Sequence, residues 1–155
     1  MIKRQQRIHW ITAVLQEYLA ASTASDLLTD QTRTNPEYGW DKGWEPRAGQ
    51  AFADNLDATY IIRIYAEFEA AIRDYWLTYL GHTTRPPMFQ LVNTAIPNQR
   101  FSRDVIEKAD EVREYRNSLV HDPEDLSGSG TSRFTVHEAK RHLCTYLSRL
   151  DPEWR

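Results

Sequence analysis

Residues 50–80 are the part of this sequence that most restricts its fold. Apolar and aromatic side chains recur there every three or four positions: Tyr60, Ile61, Ile64, Phe68, Ala71, Ile72, Tyr75 and Tyr79. This spacing places them along one face of an α-helix. Gly81 follows directly and suits the left-handed residue that commonly ends a helix. We therefore predict one long helix over residues 50–80, with an apolar face that other elements must cover.

The same periodicity predicts further helices over residues 2–28, 88–96, 102–121 and 135–150. The last of these begins with a capping box, in which Thr135 is the N-cap and Glu138 is the third helical residue. No segment shows the strict alternation of a β-strand. We predict an all-α fold, a four- to five-helix bundle that forms a single domain over residues 1–155.

Two segments rich in glycine, proline and polar residues are predicted to be loops. Residues 31–49 also carry Tyr38, Trp40 and Trp44. We interpret these rings as a cover over the core, and the alternative is a surface on which single-stranded RNA bases stack. Residues 122–133 are predicted to be a flexible loop that leads out of the preceding helix.

The charge of the chain limits its nucleic-acid partners. The formal net charge is −3, which argues against a general nucleic-acid coat protein but permits a local binding site. Lys3, Arg4 and Arg7 make the first turns basic. We interpret them as a solvated helix end, in preference to a phosphate-binding arm.

Several other classes of site are excluded by the residues present. Cys144 is the single cysteine, so neither a disulfide nor a thiolate metal cluster is expected. No apolar stretch is long enough for a membrane span, and the N-terminus lacks a signal-peptide core, which favours a cytoplasmic protein. No cofactor-binding or metal-binding motif occurs, and no ligand spacing is seen in the five histidines, which are at positions 9, 82, 121, 137 and 142.

The predicted helix over residues 102–121 ends in a distinctive group of polar residues. An apolar arc on this helix is formed by Val105, Ala109, Val112, Leu119 and Val120, and Arg116 falls in its middle. A guanidinium in such a place must pair with a carboxylate, a second chain or a phosphate. Asn117 and His121 share one flank of the helix, which the Asp122-Pro123 dipeptide then ends.

Arg116, Asn117 and His121 spell R-N-x-x-x-H, and in this the chain resembles the HEPN superfamily of small all-α domains. Residues 68–73, F-E-A-A-I-R, are similar to the F-E-x-x-L-R pattern of an earlier helix in that family. The resemblance covers residues 56–79 and 102–121. It implies a HEPN-type bundle, and it favours Glu69 over Glu67 as the acidic residue that points toward the helix bearing Arg116. The alternative is that both acids are solvated or pair locally with Arg63 and Arg73 at helical spacing.

The resemblance also implies an activity, because many HEPN domains are metal-independent endoribonucleases. In that chemistry the 2′-hydroxyl of RNA attacks the adjacent phosphorus. His121 would act as general base or acid, Arg116 would hold the phosphate, and Asn117 would orient either group. Arg116 and His121 point about 140° apart on one helix. The family's usual solution, a homodimer with both residues of both chains in one cleft, is therefore expected here.

The family resemblance suggests a toxin or a phage-defence effector, with a neutralising antitoxin or regulatory protein as a further partner. Some HEPN toxins carry a tyrosine two residues after the histidine, which their antitoxin modifies. Pro123 occupies that position here, so this mode of control is not expected.

A second function stays open from the residues alone. In this alternative the domain binds a nucleotide or a protein without cleaving RNA. Arg116 then pairs with Glu69 inside the bundle, and His121 only caps its helix, where a cation is favourable.

Overall fold

The computed structural model describes residues 3–121 and 134–154, and every regular element within them is helical. The six helices of the described residues are α1 (Arg4–Thr34), α2 (Tyr38–Asp41), α3 (Pro46–Asp74), α4 (Met88–Gln90), α5 (Arg103–His121) and α6 (Val136–Ser148). A single π-helical turn over Tyr75–Tyr79 continues α3, and another over Leu91–Ala95 continues α4. The all-α fold class is thus confirmed for these residues. The predicted loop at 122–133 lies outside them.

Helix α3 is the central element, as its sequence pattern predicts. The residues of its apolar face that have no exposed surface are Ile61, Ile64, Phe68, Ala71 and Ile72. The helix begins at Pro46, four residues earlier than predicted, because proline is well tolerated in a first helical turn. After the π-helical turn the chain reverses at Gly81, whose φ of +72° is the left-handed conformation expected there.

The core lies between α3 and the three other long helices. Helices α1 and α6 both pack on α3, and α5 packs on α3 and α6. Helix α6 begins with the predicted capping box, since Thr135 Oγ1 accepts a hydrogen bond from the backbone N–H of Glu138 at 3.2 Å. The Tyr146 hydroxyl of α6 donates to the Val92 carbonyl at 2.9 Å, so the segment after α4 is attached to the same core.

The basic start of the chain is solvated only at Lys3, and the predicted solvated end is wrong for Arg4 and Arg7. Arg7 is only 9% exposed, and its guanidinium lies 3.6 Å from the Asp74 carboxylate. Arg4 donates to the Leu150 carbonyl at 2.9 Å. The cause is the C-terminal segment, whose Trp154 is buried against the start of α1, so this end of the helix is covered.

The segment 31–49 is more helical than its composition predicts. Helix α1 continues to Thr34 and stops only at Asn35-Pro36, because a proline disfavours helical backbone in the residue before it. The Thr32 and Thr34 hydroxyls donate to carbonyls four residues earlier, so these polar side chains are accommodated within the helix. The loop prediction is therefore wrong for residues 31–34, 38–41 and 46–49.

The aromatic residues of this segment have different environments. Trp44 packs over Gly39, where an added Cβ would lie 2.9 Å from the indole ring, and it meets the Tyr38 ring edge-to-face at 6.3 Å. Trp40 is 62% exposed. Trp44 thus packs against Tyr38 and Gly39 within its own segment, while Trp40 is exposed at the surface.

Candidate functional site

The buried face of α5 includes Tyr115 and not Val120, so Arg116 lies at a different place relative to this face than the predicted arc gives it. Its buried row runs through Val105, Ala109, Val112 and Tyr115, whereas Val120 is 43% exposed. Tyr115 follows Val112 by three residues and takes the next position toward the core. Arg116 is one residue further round the helix. It is therefore partly buried at the margin of the apolar face, and not in its middle.

At this margin α3, the start of α4 and α5 line a cavity of about 340 Å³ that is open to solvent. We call it the arginine cavity. Its lining residues are Tyr65, Glu69 and Arg73 from α3, Pro87, Met88 and Phe89 around the start of α4, and Arg113, Arg116 and Asn117 from α5. Two of the predicted catalytic residues and the predicted supporting residue therefore face the same space.

Arg116 has an unusual set of partners in the arginine cavity. Its Nη1 donates to Asn117 Oδ1 at 3.1 Å, and its guanidinium lies 5.6 Å from the centre of the Tyr65 ring. Its Nε is buried without a hydrogen-bond partner, and within the described residues no carboxylate forms an ion pair with it. A partly buried guanidinium without a carboxylate partner is chemically suited to an anionic ligand.

Glu69 is not the partner of Arg116. Its carboxylate accepts hydrogen bonds from Arg73 Nε at 2.9 Å and from Arg73 Nη2 at 2.7 Å. The two residues are four apart on α3, and this close spacing favours the local pair over one that reaches across to α5. The ion pair between Glu69 and Arg116 that we considered for a binding module is thus not formed, and a binding module would use Arg116 to hold its ligand.

Arg113 is also held by carboxylates. Its Nε donates to Asp110 Oδ1 at 2.5 Å, and its Nη2 lies 3.4 Å from Glu114. The guanidinium lies 5.3 Å from the centre of the Phe89 ring. Among the three arginines that line the cavity, Arg116 is therefore the one without a carboxylate partner in the described part of the chain.

Tyr65 brings a neutral donor to the same cavity. The residue is 2% exposed, and its hydroxyl is buried without a hydrogen-bond partner. Burial raises the pKa of this phenol well above its usual value, and the charge of Glu69 raises it further, although Arg113 and Arg116 oppose the shift. The hydroxyl therefore keeps its proton at neutral pH and remains able to donate a hydrogen bond.

His121 lies apart from these groups. It is the last residue of α5, it is exposed, and it is not among the residues that line the arginine cavity. Five residues of helix separate it from Arg116, which corresponds to a rise of about 7.5 Å and a rotation of about 140°. One chain thus places Arg116, Asn117 and Glu69 together and leaves His121 on the outer surface.

The residues that sequence reasoning missed were Tyr65, Arg73, Arg113 and Phe89. A signal for three of them exists in the sequence. Tyr65 and Arg73 are four residues on either side of Glu69, and Arg113 precedes Arg116 by three, so each shares a helical stripe with a predicted site residue. Phe89 lies in a helix of three residues, which is too short to give a periodic signal.

The site contains no obvious place for a metal. In residues 3–121 and 134–154, no group of three or more His, Cys, Asp or Glu side chains is arranged to hold a metal ion.

Over the same residues, none of the helices has the length and apolarity needed to cross a membrane. Neither a protein-family model, nor a curated protein, nor a solved structure matches this chain significantly.

Proposed function

We propose that this protein is a metal-independent endoribonuclease of the HEPN type, with Arg116, Asn117 and His121 as its catalytic residues. The observation that supports the proposal is the environment of the Arg116 guanidinium. It lies in a cavity with no carboxylate partner among the described residues, its Nε is unpaired, and Asn117 is hydrogen-bonded to it. Such a guanidinium is suited to the phosphate of RNA.

The chemistry follows from the groups available. The 2′-hydroxyl oxygen forms a bond to the adjacent phosphorus, and the bond from phosphorus to the 5′-oxygen breaks. One proton leaves the 2′-hydroxyl and one is added to the leaving 5′-oxygen; His121 makes one of these two transfers as general base or general acid, and water makes the other. Arg116 stabilises the charge that builds up on the phosphate oxygens. The products carry a 2′,3′-cyclic phosphate and a 5′-hydroxyl.

A second copy of the chain completes this site. Because His121 is exposed and lies one helical turn beyond Asn117, outside the arginine cavity of its own chain, it is free to meet the cavity of another molecule. A twofold axis beside the end of α5 then gives two equivalent pairs, each with Arg116 of one chain and His121 of the other. We propose a homodimer for this reason. A partner protein that neutralises the enzyme, and a role as a toxin or phage-defence effector, belong to the same proposal.

The proposal is tested by incubating purified protein with mixed cellular RNA in EDTA and mapping the product ends. Arg116→Ala and His121→Ala should abolish cleavage, while their circular dichroism spectra should match that of the parent protein. His137→Ala is a matched control, because His137 is an exposed histidine on α6 and does not line the arginine cavity. Cleavage by both site variants at the parent rate would exclude the assignment.

One observation favours a second function, a nucleotide-binding module without nuclease activity. The arginine cavity is formed within one chain and does not include His121. Such a module would bind phosphate-bearing ligands through Arg116 but would leave RNA intact. In the experiment above, intact RNA in all samples, together with binding that Arg116→Ala removes, would identify this function.

A further inference from the structure

An exposed aromatic ring lies at the edge of the arginine cavity. Phe89 is 54% exposed, although it lines the same cavity as Arg116. The guanidinium of Arg113 lies 5.3 Å from the centre of its ring. An exposed aromatic side chain beside a guanidinium is the kind of surface on which single-stranded nucleic acid bases stack.

The surroundings of Phe89 hold the ring in this position. The preceding residue, Met88, is 8% exposed and packs into the core, so that the next side chain of the short helix points outward. Arg113 is in turn fixed by its hydrogen bond to Asp110 at 2.5 Å. The contact with Arg113 thus restricts the exposed ring, which lowers the side-chain freedom that it loses when a base covers it.

We infer that the arginine cavity and Phe89 together bind one nucleotide of single-stranded RNA, with its phosphate on Arg116 and its base stacked on Phe89. This inference rests on the proposed function and names the class of RNA that it uses. The volume of about 340 Å³ is at the small end of the range of ligand pockets, roughly 300–1,000 Å³.

Single-stranded RNA is favoured over duplex RNA by the position of the ring. A base in an A-form helix is stacked on its neighbours and is not available to a side chain. A base in a loop or at a free end can leave the stack and lie on Phe89 while its phosphate reaches Arg116. Phe89 is then a residue that selects unpaired RNA, and Arg116 is the residue that holds the backbone.

The negative net charge of the protein means that its attraction for RNA phosphate depends on individual side chains. With a net charge of −3 the chain has no general attraction for RNA. Glu69 and Asp110 neutralise Arg73 and Arg113, so Arg116 is the main anion contact at this position. We expect binding to depend on salt only weakly, as for a protein that neutralises about one or two phosphates.

The test measures fluorescence anisotropy of a labelled, short single-stranded RNA in EDTA. All proteins carry His121→Ala, so that cleavage does not remove the probe. Phe89→Ala removes the ring, Phe89→Tyr restores a ring, and Trp40→Ala is the matched control because Trp40 is an exposed aromatic residue outside the cavity. The same RNA annealed to its complement, adenosine monophosphate and inorganic phosphate are the competing ligands.

Phe89→Ala should weaken binding of the single strand about tenfold, the equivalent of ~1.4 kcal/mol for one lost base stack. Phe89→Tyr and Trp40→Ala should bind as the parent does, and the duplex should compete poorly. The inference is overturned if Phe89→Ala binds the single strand as tightly as the parent, or if Trp40→Ala loses as much affinity as Phe89→Ala. It is also overturned if the duplex binds as tightly as the single strand, or if the protein binds adenosine monophosphate but not the RNA.

The two proposals fail separately. If the parent protein cleaves RNA and Phe89→Ala both binds and cleaves like it, the stacking site is wrong and the nuclease stands. If the parent protein does not cleave RNA but its binding to single strands requires Phe89, the nuclease is wrong and the binding site stands.

Discussion

Replacing Arg116 by methionine should separate a functional arginine from a structural one. The substitution removes one hydrogen bond to Asn117, worth about 1 kcal/mol, and one cation–π contact with Tyr65, worth about 0.5–2 kcal/mol. It also removes a buried, unpaired Nε, whose desolvation costs about 1–3 kcal/mol. These contributions nearly cancel. We therefore expect the free energy of unfolding to change by less than about 1 kcal/mol, and RNA cleavage to be lost.

Arg7→Met is the matched control for this substitution. Arg7 is more deeply buried and has an acidic partner, since the side chains of Arg7 and Asp74 are 10% and 16% exposed and lie 3.6 Å apart. Removing one member of a buried ion pair leaves an uncompensated charge and costs about 3–5 kcal/mol. Part of this is offset because Arg7 Nε is also buried without a hydrogen-bond partner, so we expect a net loss of about 3 kcal/mol. Cleavage measured well below the melting temperature should be retained.

Both substitutions are compared by thermal unfolding and by RNA cleavage on the same preparations. For a chain of this size, 1 kcal/mol corresponds to roughly 2–4 °C in Tm. Arg7→Met should then melt roughly 6–12 °C below the parent, and Arg116→Met within about 4 °C of it. A loss of 3 kcal/mol or more in Arg116→Met, with cleavage unchanged in the molecules that remain folded, would refute our reasoning and make Arg116 a structural residue.

Three further predictions concern stability. Thr135→Ala removes the N-cap hydrogen bond to the Glu138 N–H and should lower stability by about 1 kcal/mol, which thermal unfolding would show as a Tm lower by roughly 2–4 °C; an unchanged Tm would contradict the role of the cap. Gly81→Ala should cost about 1–2 kcal/mol in urea unfolding because φ is +72°, whereas a neutral result would mean that the turn relaxes. Burial first, and then the hydrogen bond to Asp57, raise the pKa of Tyr18 to about 12 from an unfolded value of about 10. The neutral phenol is therefore favoured in the folded state, and its contribution to the free energy of unfolding is present below pH 10 and lost between about pH 10 and 12. Tyr18→Phe should flatten the plot of unfolding free energy against pH in that window. An identical plot for the variant and the parent would exclude Tyr18 as the group responsible.

Helical periodicity was sufficient for the parts of the fold that depend on one element at a time. It identified the buried face of α3, the end of that helix at Gly81 and the capping box at Thr135, because each is fixed by residues close together in the chain. It did not identify the covered environment of Arg7, which depends on the last residues of the chain folding back on α1.

The candidate site shows the same division. Of the residues that the sequence predicts for the site, the structure brings Arg116, Asn117 and Glu69 to one cavity and leaves His121 outside it. The partner of Glu69 depends on which of several nearby arginines offers the better geometry, and Arg73 on the same helix does so. Phe89 was missed because its exposure depends on Met88 filling the core, which no local pattern expresses.

The central claim, that Arg116 of one chain acts together with His121 of the other, is tested most directly by mixing two inactive variants. Arg116→Ala and His121→Ala are combined in equal amounts, refolded together and assayed on RNA in EDTA. Half of the dimers should then contain one chain of each variant. Such a mixed dimer has one intact Arg116–His121 pair, whereas a parental dimer has two. About a quarter of the parental activity should therefore return. If the mixture stays as inactive as its two components although mixed dimers are present, the two residues do not act across chains and the proposed active site is wrong.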